Sequence, residues 1–280
     1  MKLVECPRDA MQGLDHFVPT DLKIRYLNAL LEVGFDTLDF GSFVSPKAVP
    51  QMQDTAQVLA GLNLSQTRTK LLAIVANRRG AEQAVSYPQI QYVGFPLSVS
   101  ETFQQRNTNK SIAQAFDDVG EMQRLCAGAG KELVIYLSMG FGNPYGDPYS
   151  LALVVELTER LVQMGITIIA PSDTVGSSTA DTIEELFQQL ILAFPQVEFG
   201  AHLHTLPGEA PNKVRAAVRA GVQRMDGALR GFGGCPLATD TLTGNMPTEE
   251  ILQTLAQEGI DLGINQAAFQ KAMALSAGVF

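Results

Sequence analysis

Eight short β-type runs recur along this chain, separated by stretches with helical spacing, and that alternation restricts the fold more than any single motif does. The runs cover residues 3–6, 35–40, 70–75, 91–95, 132–138, 166–170, 197–202 and 222–226. Four of them follow Gly34, Gly130, Gly165 or Gly221, the residue type that ends a helix at positive φ and turns the chain into the next strand. Between the runs, residues 21–33 are amphipathic through Leu22, Tyr26, Leu27, Leu30 and Leu31, and residues 111–126, 151–164, 180–194 and 212–220 share the helical period. Strands joined by such helices make right-handed crossovers and a parallel sheet. Eight units predict an α/β protein with a closed (β/α)8 TIM barrel. The rival, an open doubly wound sheet, usually carries a glycine-rich dinucleotide turn after its first strand; Cys6-Pro7-Arg8-Asp9-Ala10 is no such turn.

A length of 280 residues would also suit two average domains, but barrels of about 250 residues are single units, and no linker-like stretch interrupts this chain. One catalytic domain over residues 1–280 is expected. Hydrophobic residues at 46% and 25 glycines describe a turn-rich protein with a large core. A formal charge of -9 leaves no basic footprint, which argues against a nucleic-acid partner. The first residues, Met1-Lys2-Leu3-Val4-Glu5, hold no apolar signal core, and no run approaches the roughly 18 apolar residues of a spanning helix. The expectation is a cytoplasmic protein with no membrane contact. Cys6, Cys126 and Cys235 are too few and too widely spaced for a disulfide framework.

A barrel of this kind does its chemistry at the C-terminal ends of its strands. The polar groups expected there are Arg8 and Asp9, Asp39 and Ser42, Ser98 and Glu101, Ser138, Asp173 and Thr174, and His202 with His204. The histidines are two of only three in the chain, and alternate residues on a strand share a face, so both imidazoles enter one space. With Asp9 from across the mouth they would offer two nitrogens and an oxygen to a divalent ion. Spacing alone leaves open a hydrogen-bonded histidine pair and an Asp9 that caps a loop. Asp173 reads equally as an Asx turn or as a carboxylate beside a metal. Cys235, in the glycine-rich loop after the eighth run, reads as a mobile proton donor or as a small filler.

Several segments resemble the 3-hydroxy-3-methylglutaryl-CoA lyase family, metal-dependent TIM barrels related to the isopropylmalate and homocitrate synthases. They are Glu5-Cys6-Pro7-Arg8-Asp9-Ala10-Met11-Gln12, Ser42-Phe43-Val44-Ser45-Pro46-Lys47, Ser172-Asp173-Thr174-Val175-Gly176, His202-Leu203-His204, Gly233-Gly234-Cys235-Pro236 and Thr243-Gly244-Asn245-Met246-Pro247-Thr248-Glu249. The resemblance implies metal ligands at Asp9, His202, His204 and Asn245, holding Mg2+ or Mn2+, with Zn2+ as the further choice. It implies Arg8, Asp39, Asp173 and Cys235 as catalytic residues, an acyl-CoA thioester substrate, retro-aldol cleavage that releases acetyl-CoA, and a homodimer.

The chain departs from that pattern where Ala10 replaces a glycine, Asp39 a glutamate, Thr205 an aspartate after the histidine pair, and Val134 an arginine two residues before Tyr136. Val134 and Thr205 lead to the expectation that hydroxymethylglutaryl-CoA is a weak substrate beside another 3-hydroxyacyl thioester, with Arg8, Lys47 and Arg230 as replacement cations. A condensing relative with a changed acyl substrate and a catalytically weakened barrel serving as a binding subunit are the competing functions.

Overall fold

The computed structural model describes residues 1–234 and 243–280. Its elements in chain order are β1 (Lys2–Glu5), α1 (Pro7–Gln12), α2 (Thr20–Leu31), β2 (Thr37–Ser42), α3 (Thr55–Ala60), β3 (Lys70–Ile74), α4 (Arg78–Val85), β4 (Ile90–Ser98), α5 (Glu101–Thr108) and α6 (Ile112–Gly128). There follow β5 (Glu132–Ser138), α7 (Leu151–Gln163), β6 (Ile168–Asp173), α8 (Ala180–Ala193), β7 (Glu198–Thr205), α9 (Ala210–Arg219), β8 (Arg224–Gly227), β9 (Gly244–Asn245), α10 (Thr248–Gln257) and α11 (Gln266–Ser276). Strands β1 to β8 pair in parallel with their neighbours, and β8 pairs with β1, which closes the (β/α)8 TIM barrel. Short β9 adds antiparallel to β7, with Asn245 opposite His204.

Alternation along each strand sorts side chains into two layers. Outside the barrel, Ile90, Val93, Phe95 and Leu97 of β4 join Leu27, Leu30, Phe187 and Leu190 of the helices in one apolar cluster. Inside, Leu72, Ile74, Tyr92, Val134, Tyr136, Ile168 and Ala170 form a smaller plug. The longer helices start where the sequence supplies caps: Ser111 with Gln114 and Thr179 with Thr182 form capping boxes on α6 and α8. Glu5, at the end of β1, ties the closing turn to the barrel: it accepts from Leu229 N at 2.9 Å and Thr248 Oγ1 at 2.6 Å. Burial pushes its carboxyl up to about 8 against those hydrogen bonds.

Four strands sit further along the chain than the hydrophobic pattern places them, β8 (Arg224–Gly227, not 222–226) among them. β2 is Thr37–Ser42, not 35–40; β6 is Ile168–Asp173, not 166–170; β7 is Glu198–Thr205, not 197–202. Phe35 and Ile166 are buried core residues in the turns entering the strands, while the strand tops continue through polar residues that give no hydrophobic signal. Both histidines therefore lie within β7. No described helix is long and apolar enough to cross a membrane.

Candidate active site at the barrel mouth

β1 passes directly into α1, with Pro7 in the first turn, where its missing N–H removes no helix bond. The segment after the first strand is thus a short helix and not a loop. That turn carries Arg8 and Asp9 into the mouth, with Gln12 one turn later. Arg8 Nη1 donates to Asp9 Oδ1 at 3.0 Å and to Gln12 Oε1 at 2.8 Å, and Gln12 Nε2 donates to Asp9 Oδ1 at 2.8 Å. The other edge of the guanidinium grips Asp39 on β2, with Nη2 at 2.6 Å and Nε at 3.0 Å from Oδ2. Every nitrogen of Arg8 is thus engaged by its own chain. A register shift between Asp39 and Gly41 lies at this point of β2, the kind of irregularity that re-aims side chains next to sites.

Burial penalises the charge of Asp9, but Arg8, His202, His204 and the Asn245 hydrogen bond together outweigh it and hold the carboxyl at about 2. Asp39 goes the other way: burial dominates even against Arg8 and raises it to about 6.

On β7, His202 Nδ1 lies 3.1 Å from Asp226 Oδ2 and His204 Nδ1 lies 3.1 Å from Thr174 O. A carbonyl oxygen only accepts, so His204 carries its proton on Nδ1 and keeps the Nε2 lone pair free. Among the described residues that buried Nε2 has no hydrogen-bond partner. Burial, then the neighbouring His202, lower His204 to about 4, which keeps it neutral. Burial is the largest influence on His202 and works against its protonation, but the hydrogen bond and charge of Asp226 together with the charge of Asp9 outweigh it, and the net shift is upward. Asn245 Nδ2 donates to Asp9 Oδ2 at 2.7 Å and to Phe232 O at 2.9 Å, leaving its amide oxygen as the group able to bind a cation.

Asp9, His202 and His204 each offer a ligand atom, and these atoms lie within 4.8 Å of one another. The orphaned His204 Nε2 and a donor set of nitrogen and oxygen fit a divalent ion. Above it opens a cavity whose wall includes Val44, Ile74, Pro96, Tyr136, Ser138 and Ser172.

Asp173 stands apart from this group. In the β6–β7 register Ser172 pairs with His202 while Asp173 pairs with Leu203, so Asp173 faces outward. Its carboxylate accepts from Ser177 N, Ser178 N, Ser178 Oγ and Lys213 Nζ, and Lys213 also donates to His204 O at 2.7 Å. The ion pair braces the tops of β6 and β7 beside His204. Cys235 lies outside the described residues. Of the expected replacement cations, Arg8 is committed, Lys47 is exposed, and Arg230 binds Ser276 Oγ and Met273 O. Sequence reasoning missed Arg224, an entirely buried cation inside the barrel. Its signal was an arginine two positions before Asp226 in a strand, hence on the same face.

Comparison with known proteins gives a consistent picture. The HMGL-like family model matches residues 3–276. Hydroxymethylglutaryl-CoA lyase, mitochondrial, of Bos taurus is 34% identical over 281 residues, covering 100% of this chain and 84% of that protein. Hydroxymethylglutaryl-CoA lyase YngG of Bacillus subtilis is 31% identical, covering 92% of this chain and 85% of that protein. Among solved structures, an HMG-CoA lyase from Acinetobacter baumannii in complex with coenzyme A and 3-methylmalate superposes with a TM-score of 0.91 at 29% identity, covering 99% of this chain and 90% of that one.

Proposed function

As the chain belongs to the HMGL-like family, we propose that it is a divalent-metal-dependent carbon–carbon lyase, cleaving 3-hydroxy-3-methylglutaryl-CoA or a related 3-hydroxyacyl-CoA to acetyl-CoA and a keto product. The observation that carries this reading is the convergence of Asp9, His202 and His204, ligand atoms within 4.8 Å, on the floor of the cavity beside Arg8. Relatives named hydroxymethylglutaryl-CoA lyases, one of them solved with coenzyme A, support it.

Asp9, His202, His204 and Asn245 would hold the ion, Mg2+ or Mn2+ ahead of Zn2+, since two of the four donors are oxygens and none is a thiolate. When bound, such an ion acidifies the substrate hydroxyl and withdraws charge from the acyl oxygen. Arg8, fixed in plane by Asp39, stands beside Asp9 and opposes negative charge growing on the substrate oxygens. Loss of the hydroxyl proton to a base turns the C3 alkoxide into a ketone as the C2–C3 bond breaks, and the electron pair passes to the acetyl-CoA enolate. Cys235 returns a proton to that enolate carbon. Asp39 acts through Arg8, and Asp173 through Lys213 and the strand tops. The same reading makes the enzyme a cytoplasmic homodimer.

The test is a panel of 3-hydroxyacyl-CoA thioesters, hydroxymethylglutaryl-CoA included, incubated with the protein and Mn2+ or Mg2+. Acetyl-CoA and the matching ketone are expected to appear together and to vanish with chelator. A panel in which no thioester is cleaved overturns the lyase reading.

A further inference from the structure

His202 and His204 share one face of β7, yet their Nδ1 atoms are held by partners of different kinds. His204 meets the neutral carbonyl of Thr174 and His202 meets a carboxylate, Asp226, each at 3.1 Å. The reaction as written above makes no use of Asp226. It is 2% exposed, and its second oxygen, Oδ1, is buried without a hydrogen-bond partner. An ionised carboxylate in such a place is destabilising unless something balances its charge.

The balancing charge stands two residues earlier on the same face of β8. Arg224 is 0% exposed; among the described residues its Nε and Nη2 have no hydrogen-bond partner, and Nη1 reaches Glu198 Oε1 at 3.4 Å. Its guanidinium sits 5.2 Å from the centre of the Tyr92 ring. Gly200, the residue of β7 in register with Arg224, leaves room for it: a Cβ at Gly200 would stand 3.2 Å from Arg224 Cδ. A cation and a carboxylate thus occupy the barrel interior with incomplete hydrogen bonding, and among the described residues the side chain that this pair holds in the mouth is His202.

We propose that Asp226, backed by Arg224, is a positioning residue that fixes His202 as the Nδ1–H tautomer with Nε2 turned to the cation. The inference rests on the metal-centre reading above. A carboxylate that accepts from Nδ1–H stops the ring rotating and raises electron density on the far nitrogen, so His202 is the stronger donor of the pair and His204, on a neutral carbonyl, the weaker.

Mn2+ is the probe, because Cys6 Sγ also lies within 4.8 Å of the ligand atoms of His202 and Asp226 and a thiophilic ion would compete for the same ring. Long-range nitrogen–proton NMR of the metal-free protein reads the tautomers, and Mn2+ titration reads affinity. Wild type is expected to show Nδ1–H at both histidines. In Asp226→Ala and in the volume-conserving Asp226→Asn, Mn2+ affinity is expected to fall about 10–100-fold. In Asp226→Ala the single Nδ1–H form of His202 is lost while that of His204 persists as the internal reference. Affinity within twofold of wild type in both variants, or an unchanged His202 tautomer in Asp226→Ala, overturns the proposal. If wild type bound no Mn2+, the metal centre would fall, while the His202 tautomer in Asp226→Ala would still decide the role of Asp226.

Discussion

The two sides of the barrel wall differ sharply although a single strand separates them. The layer between strands and helices is packed with Leu27, Leu30, Phe95, Leu97, Phe187 and Phe199, whereas the interior gathers Arg8, Asp9, Asp39, His202, His204 and Asp226 towards the mouth and Arg224 below them. Odd and even residues of the same strand serve opposite purposes. Hydrophobic burial outside supplies the fold, and that surplus tolerates a cluster of desolvated charges inside. Substitutions on the two faces should therefore fail in different ways.

The largest effect should come from the interior. His202→Ala and His204→Ala are each expected to abolish Mn2+ binding and to lower turnover by about 1,000-fold or more, since a bound cation contributes several kcal/mol to the transition state. Circular dichroism should still show a folded barrel. Unfolding of both variants would break the division between the two faces. Unchanged metal content in the folded proteins would refute the ligand assignment.

Phe187→Ala tests the outer face. Its ring is fully buried in the outer cluster, and its loss should reduce unfolding free energy by about 3–5 kcal/mol while leaving Mn2+ affinity as it was. Denaturant titration beside metal titration makes the comparison, and a parallel loss of affinity would show that the faces are coupled.

A third test sharpens the interior alone. Arg8 is fully engaged, Val134 stands where the resemblance places an arginine, and among the described residues Arg8 is the one lysine or arginine that lines the cavity, so its wall offers no uncommitted cation to a distal substrate carboxylate. A missing charge partner costs about 2–5 kcal/mol, so kcat/KM for hydroxymethylglutaryl-CoA should lie at least about 30-fold below that for an uncharged 3-hydroxyacyl-CoA. A preference for hydroxymethylglutaryl-CoA in steady-state kinetics would remove the altered-substrate idea and leave the lyase reading intact.

The smallest effect concerns Glu5. Its folded carboxyl keeps a proton up to about 8, whereas the unfolded one loses it near 4.5, so the folded state binds the extra proton between those values. Stability then declines as pH rises across that window, by at most about 1.4 kcal/mol per pH unit. Glu5→Gln retains an acceptor for Leu229 N and sets an amide N–H against Thr248 Oγ1, whose hydroxyl can turn to accept it, and it should flatten the decline and exceed wild type in stability at pH 8. Equal slopes from pH 5 to 8 in denaturant titrations would count against it.

Much of the barrel was legible because its strands advertise themselves through hydrophobic runs and its helices through caps and glycine stops. The site was legible in part for a similar reason: His202 and His204 at spacing two must share a face, and Asp9 follows the first strand directly. What periodicity could not reveal were features set by tertiary geometry. Asp173 reads as one more rim carboxylate, yet strand parity turns it toward Lys213. Arg224 sits in a strand that ends a helix–glycine unit, and only its register with Gly200 shows that a whole guanidinium fits inside the barrel. Polar strand tops such as Ser42, Ser172 and Thr205 were undercounted because burial there comes from the site and not from apolar packing.

The hydrogen bond between Asn245 and Asp9 joins residues 236 positions apart, and β9 reaches its place only by docking on β7. A nascent chain can hold all eight strands of the cylinder and still lack the amide oxygen of Asn245 until translation has passed that residue and its segment has folded back. On the metal-centre reading proposed above, the full donor set is complete only in a chain whose β9 segment has docked on β7 and brought Asn245 to Asp9, so loading with the ion would report that this long-range contact has closed.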